Sequence, residues 1–208
     1  MLIPLDKLVE HFKLNITGVL HIGAHECEEF LSYLIQKIPK ENIFWIEAMK
    51  DKVIEMKNKN KNINIIEAVV SDKDGEEVTF NITNNGQSSS FLELGTHEKH
   101  HPQVHVVKKE KMITSRMDTI IEKESIKMNN INFLNLDIQG AELKALKGLG
   151  KYIDNIDYIY TEVNTEKVYK DCALMSEIDD FLKEKGFERK CEAIYKQYGW
   201  GDAFYMRV

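Results

Sequence analysis

The sequence predicts an α/β fold, a mostly parallel sheet with helices on both faces that ends in an antiparallel hairpin. Three observations carry this. Short apolar runs alternate with helical-period segments through the first 70 residues, the same alternation resumes at Ile131, and Phe187–Val208 holds two strand-like runs around a turn at Gly199–Asp202.

The elements follow in order. Leu5, Leu8, Val9 and Phe12 recur at helical spacing behind Pro4, which suits a first turn. Gly18–Gly23 (GVLHIG) is an apolar run, read as a buried strand. Cys27, Phe30, Leu31, Leu34, Ile35 and Ile38 have the spacing of one amphipathic helix. Asn42–Ala48 and Ile63–Val70 read as the second and third strands, with a Lys-rich helix over Met49–Asn60 between them. Strands without polar alternation are buried on both faces, as parallel strands are.

The middle is less regular. Ser71–Gly75 has turn chemistry and Glu76–Ile82 alternates as a strand. Asn84–Ser90 and Gly95–Pro102 are polar loops, Val104–Met117 has strand character, and Met117–Glu124 reads as a short helix. Ile131–Asp137 and Tyr158–Val163 are further strands, separated by a helix over Ala141–Leu149. Leu174, Ile178, Phe181 and Leu182 mark a last helix stopped at Gly186. No linker or repeat interrupts the chain, which predicts one domain over residues 1–208, an N-terminal helix in 1–16 and a core in 17–208.

The 208 residues are 43% hydrophobic and 30% charged, with net charge −6. That balance argues against a broad basic surface for nucleic acid. No run approaches the ~18 apolar residues of a membrane span. Three scattered cysteines without a CxxC pair argue against a thiolate zinc site or a disulfide framework. With no signal-peptide pattern at MLIPLDKLVE, the expected setting is soluble and cytoplasmic.

In an open parallel α/β sheet, ligands bind beyond the carboxyl ends of the strands, where strand order reverses. Gly23, Ala24 and His25 follow the first strand, and Gly23 permits a sharp turn with close ligand approach. Glu47 ends the second strand, 24 residues after Gly23, and suits two ribose hydroxyls. GAHEC is not GxGxxG, and Glu26, Glu28 and Glu29 would repel a pyrophosphate. This favours the cationic S-adenosylmethionine over NAD. Ser71 and Asp72 are expected beside the adenine, and Asp137 where methyl donor and acceptor meet.

Among the clustered histidines at 97, 100, 101 and 105, His101 is the candidate general base, on its loop position before Pro102. Asp137 with Glu162 and Asn164 offers hard oxygen ligands for a Mg²⁺ or Mn²⁺ ion. Glu142 has two readings, a site residue or an acid near the start of the following helix. Trp200 and Asp202 are candidates for the entrance.

The segments GVLHIGAHECEE, FWIEA, EAVVSDKDGEEVTF, QSSS, SRMDTII, NLDIQGAELKALKGL and GDAFYMRV stand in the order seen in FkbM-type methyltransferases. The chain resembles that family over about residues 17–208. The resemblance implies a Rossmann-like class I S-adenosylmethionine-dependent fold, with a seven-stranded sheet whose last strand is antiparallel. It also implies O-methylation, commonly of a sugar or polyketide hydroxyl, and a role for Ser89 in closing the QSSS loop over the donor. The chain departs from the family pattern at Cys27, where a second glycine is common, at Gln139, where a Glu is common, and at His21, where an Asp is frequent. The expected acceptor is a glycan or another small molecule. The alternatives are another small-molecule or protein acceptor, and a non-catalytic nucleoside-binding domain of the same fold.

Overall fold

The computed structural model describes all 208 residues. Seven strands form the main sheet: β1 (Val19–Ile22), β2 (Ile43–Glu47), β3 (Asn64–Glu67), β7 (Phe133–Leu136), β8 (Tyr158–Asn164), β9 (Phe187–Tyr195) and β10 (Trp200–Arg207). Their order is β3-β2-β1-β7-β8-β10-β9. The pairs among β3, β2, β1, β7 and β8 are parallel, whereas β10 is antiparallel to both neighbours. Strand order reverses at β1, which lies between β2 and β7, so a crevice opens at its carboxyl end.

Side-chain alternation sorts each central strand between two cores. Leu20 and Ile22 of β1, Ile46 of β2 and Leu134 and Leu136 of β7 join one cluster. Val19, Ile43, Trp45 and Phe133 join the cluster on the opposite face. Helix α1 (Leu5–Phe12) covers this second face with Leu5 and Leu8, and α2 (Phe30–Ile35) covers it with Tyr33. On the first face lie α5 (Met117–Lys123), α6 (Glu142–Gly148) and α7 (Met175–Glu184), through Ile120, Ala145, Leu146, Ile178 and Leu182. Helix α3 (Lys50–Lys59) links β2 to β3. No helix is long and apolar enough to cross a membrane.

Two expectations need correction. The run Ile63–Val70 is not one strand. It breaks at Ala68, whose N–H donates to Glu47 O at 2.9 Å, and continues as β4 (Val69–Ser71) in a separate sheet. That sheet has the order β4-β6-β5, with β5 (Glu77–Thr83) and β6 (Val106–Arg116). The chain turns because β4 pairs with β6, from Val69 opposite Thr114 to Ser71 opposite Arg116. The expected Cys27–Ile38 helix is also shorter, since Cys27 has φ 55° and Lys37 has φ 61°, both left-handed. The polar loop before Pro102 holds one helical turn, α4 (His97–His100).

Candidate active site

A cavity of about 530 Å³ opens at the carboxyl ends of β1, β2, β7 and β8, roofed by the second sheet and the Asn85–Ser89 loop. Its volume is in the range of small-molecule sites, ~300–1,000 Å³. Of the residues expected from sequence, Gly23, His25, Glu47, Ser89, His101, Asp137 and Glu162 line it.

Gly23 turns the chain out of β1 at φ 96°, and a Cβ there would lie 1.8 Å from the Asp137 carbonyl oxygen. Only glycine permits both the left-handed backbone and that approach. The turn is closed from below by Ile46, whose carbonyl takes the N–H groups of Gly23 (2.9 Å) and Ala24 (3.0 Å). Glu47, nearly buried, accepts from His25 N at 2.7 Å and from Met49 N at 2.8 Å. Burial raises its carboxyl above the usual range, against the pull of these donors. His25 Nδ1 lies 2.8 Å from Glu28 Oε1, a contact that raises the imidazole. Burial works against ionisation of Glu28, but His25 and backbone N–H groups hold its carboxyl down at about 2. Cys27 occupies the position where a second glycine was expected and has the left-handed backbone that glycine favours. Burial pushes its thiol up to about 12, so it is no thiolate nucleophile.

Across the crevice, Asp137 is exposed to the cavity. Gln139 Nε2 donates to Asp137 Oδ1 and to Glu162 Oε2, each at 2.6 Å. Its carbonyl accepts the Tyr169 hydroxyl, and its backbone, at φ 56°, accepts from Ser90 Oγ at 2.9 Å. Burial and then the neighbouring Asp137 and Glu142 carboxyls push Glu162 well above the ordinary range. Glu142 is fully buried, and its Oε1 accepts from Ile138 N and Gly140 N, both at 3.0 Å. Its role is thus to brace the loop that carries Gln139, and burial raises it to about 7.

Four expected site residues lie elsewhere. Ala24 packs into the core behind the turn. Ser71 ends β4 and Asp72 follows it, and neither lines the cavity; Asp72 faces Lys144 at 3.7 Å and accepts from Ser71 Oγ at 3.1 Å. The two residues before them, Val69 and Val70 of β4, do line the cavity. Asn164 is sealed at the end of β8, and neither polar atom of its amide has a partner.

These placements do not fit a Mg²⁺ or Mn²⁺ site. The amide of Gln139, a donor, bridges the two carboxyls, Asn164 is outside the cavity, and no three His, Cys, Asp or Glu side chains converge as ligands.

The remaining wall is aromatic. Imidazole and phenol rings run from Tyr169 to His97 (5.6 Å between centroids), His101 (5.0 Å) and Tyr198 (4.9 Å). Tyr195 stacks edge-on to Trp200 at 5.2 Å. His97 is 7% exposed, and its Nδ1 has no hydrogen-bond partner. Burial, with His101 and His100 nearby, lowers it to about 4, so the ring is neutral. Asp202, aligned with Glu162 on the adjacent strand, accepts from the Tyr160 hydroxyl and, at 2.6 Å, from Leu2 N. Burial raises its carboxyl as well. Deep behind Gly23, His21 Nδ1 contacts Tyr33 OH at 3.0 Å and the ring stacks on Trp45.

Sequence reasoning passed over Gln139 as a hub and His97 as a cavity residue. The left-handed loop chemistry of Gln139-Gly140 was a signal for the first; nothing in the spacing separated His97 from its neighbours.

Sheet order, the switch point at β1 and the acid-lined crevice define a class I S-adenosylmethionine-dependent methyltransferase fold. The model of the methyltransferase FkbM domain matches residues 21–189, and the chain belongs to that family of methyltransferases. No curated protein matches. Among solved structures, methyltransferase FkbM from Methylobacillus flagellatus KT is similar at TM-score 0.55 and 13% identity, over 93% of this chain and 44% of that one. Magnesium protoporphyrin IX methyltransferase from Synechocystis PCC 6803, with bound SAM, is similar at TM-score 0.52 and 10% identity, over 98% and 76%. At these identities the likeness is one of fold.

Proposed function

We propose that this methyltransferase transfers the methyl group of S-adenosylmethionine to a hydroxyl of a sugar or glycan. One observation carries the reading. A single cavity joins Gly23, Glu47 and Asp137, at the strand ends that flank the switch point, to a wall of Tyr169, His97, His101 and Trp200. The first set suits a nucleoside with a cationic head. Aromatic faces beside carboxyls and hydroxyls suit the mixed apolar and hydroxylated faces of a sugar.

When bound, S-adenosylmethionine supplies an electrophilic methyl group on a sulfonium sulfur. The chain's own residues then have three tasks. Glu47 accepts from ribose hydroxyls with the acceptor capacity its carboxyl keeps beyond the two backbone N–H groups. Asp137, held by Gln139, places negative charge beside the donor's cationic end. His101, half-buried on the wall, or Asp137 takes the hydroxyl proton as the acceptor oxygen forms its new bond. Positioning accounts for most of the acceleration, since the donor is already activated. The acidic cavity also favours a cationic donor over its neutral product, and it supports the expectation that nucleic acid is not the acceptor.

The test is calorimetric titration with S-adenosylmethionine, followed by labelled methyl transfer over glycans, peptides and metabolites. Binding, with transfer to glycans that falls at least ~100-fold in Asp137→Ala, is expected. Transfer confined to peptides or metabolites selects the alternative acceptors. Binding without transfer to any acceptor selects a nucleoside-binding role.

A further inference from the structure

The cavity is built to refuse phosphate. No lysine or arginine side chain lines it, while six acids do: Glu28, Glu29, Glu47, Asp137, Glu162 and Asp202. The α-amino group of Met1 is held by Glu29 at 3.3 Å. A phosphate without a cationic partner usually relies on free backbone N–H groups in a tight turn or at a helix start. Those of the glycine turn are all taken. Gly23 N and Ala24 N donate to Ile46 O, His25 N to Glu47 Oε2, Glu26 N to Glu28 Oε2 at 3.1 Å, and Cys27 N to Ala24 O at 2.6 Å. On the facing loop, Ile138 N and Gly140 N are both taken by Glu142.

On that loop and on the Asn85–Ser89 loop, the lining N–H groups left without a partner, those of Asn85, Gln87 and Gln139, are not successive donors of one turn, as a phosphate cradle requires. His97, 7% exposed on the cavity wall, lies tilted against Tyr169 and His101, and its unpartnered Nδ1 is sealed within the packing.

We infer that the acceptor carries no phosphate at the methylated unit, so a glycosyl-transfer reaction must precede this methyl transfer. The substrate is a sugar already released from its nucleotide carrier, as a glycoside or within a glycan. This rests on the sugar reading above, whereas phosphate exclusion rests on the cavity alone, and the experiment separates the two.

Two comparisons test it. In the first, adenosine and ADP compete with labelled S-adenosylmethionine for the protein. In the second, methyl transfer is measured on matched pairs, a methyl glycoside against the nucleoside-diphosphate derivative of the same sugar. Adenosine is expected to displace the donor at least ~100-fold more effectively than ADP, and glycosides to exceed their nucleotide partners in kcat/KM by at least ~100-fold, as like charges in a poorly solvated site require. Displacement by ADP equal to that by adenosine overturns the exclusion whatever the acceptor. Equal or better transfer to the nucleotide-linked sugar overturns the order of reactions. If adenosine beats ADP but no sugar of either kind is methylated, the exclusion stands and the sugar reading falls.

Discussion

Glu47 Oε2 takes the backbone N–H of His25 at 2.7 Å, so the carboxyl that ends β2 also fixes the turn that leaves β1. The other oxygen takes Met49 N at 2.8 Å. On the proposed reading, ligand recognition and loop geometry share one side chain. In Glu47→Gln the amide NH₂ must face one of two N–H donors. Calorimetry should show S-adenosylmethionine binding weakened ~10- to 100-fold, and urea unfolding should show a loss of ~1–3 kcal/mol. Unchanged donor affinity removes Glu47 from the site.

Gly23→Ala meets the Asp137 carbonyl at 1.8 Å and forces a side chain into φ 96°. A loss of at least ~2 kcal/mol is expected from denaturant unfolding. A variant as stable as the parent shows that the two strand ends separate freely.

Gln139→Glu places a third carboxyl on Asp137 and Glu162, where an amide now donates to both at 2.6 Å. The variant should melt well below the parent at pH 8 and recover much of the difference at pH 5, where the added acid is protonated. A difference independent of pH argues for a steric cause.

Burial raises Glu142 to about 7 from an ordinary 4.5. Ionisation is thus easier in the unfolded chain. The stability this group contributes is complete below its unfolded value and is lost as pH rises through about 7. Glu142→Gln keeps a carbonyl for Ile138 N and Gly140 N and removes the charge. Its unfolding free energy should fall less than the parent's between pH 5 and pH 8. Parallel pH profiles would assign the slope to other buried acids.

His101, on the cavity wall, lies tilted against His97 and Tyr198. As the base it makes kcat in His101→Gln fall by ~10²- to 10⁴-fold with donor affinity unchanged. An unaltered kcat leaves the proton to Asp137.

The fold was legible where one strand made one apolar run. Val19–Ile22, Ile43–Glu47 and Phe133–Leu136 are buried on both faces, and that leaves a local signature. The break at Ala68 left none, because apolar residues continue on both sides of it, Ile65 and Ile66 before and Val69 and Val70 after, and the turn is imposed by pairing with β6, more than 40 residues away. Asp72 lies off the cavity although Val69 and Val70 of the same strand line it, a distinction that leaves no mark in the local sequence. Glu47 and Asp137 line the cavity as expected, because a strand-end rule needs only sequence order and strand position. Gln139 and His97 depend on Tyr169, Glu162 and a packed wall, contacts that no local pattern encodes.

Strand β10 lies inside the sheet, bonded on one side to β8 and on the other to β9. Trp200 and Asp202 are the last of the cavity-lining residues to be synthesised. Until then β8 presents an unpaired edge and Glu162 lacks the neighbour strand that encloses it. Residues 1–47, which hold the glycine turn at Gly23 and its partner Glu47, leave the ribosome long before the Trp200 side of the cavity. The nascent protein thus has an interval in which an open parallel edge invites pairing with other chains, and rapid insertion of this one strand ends it.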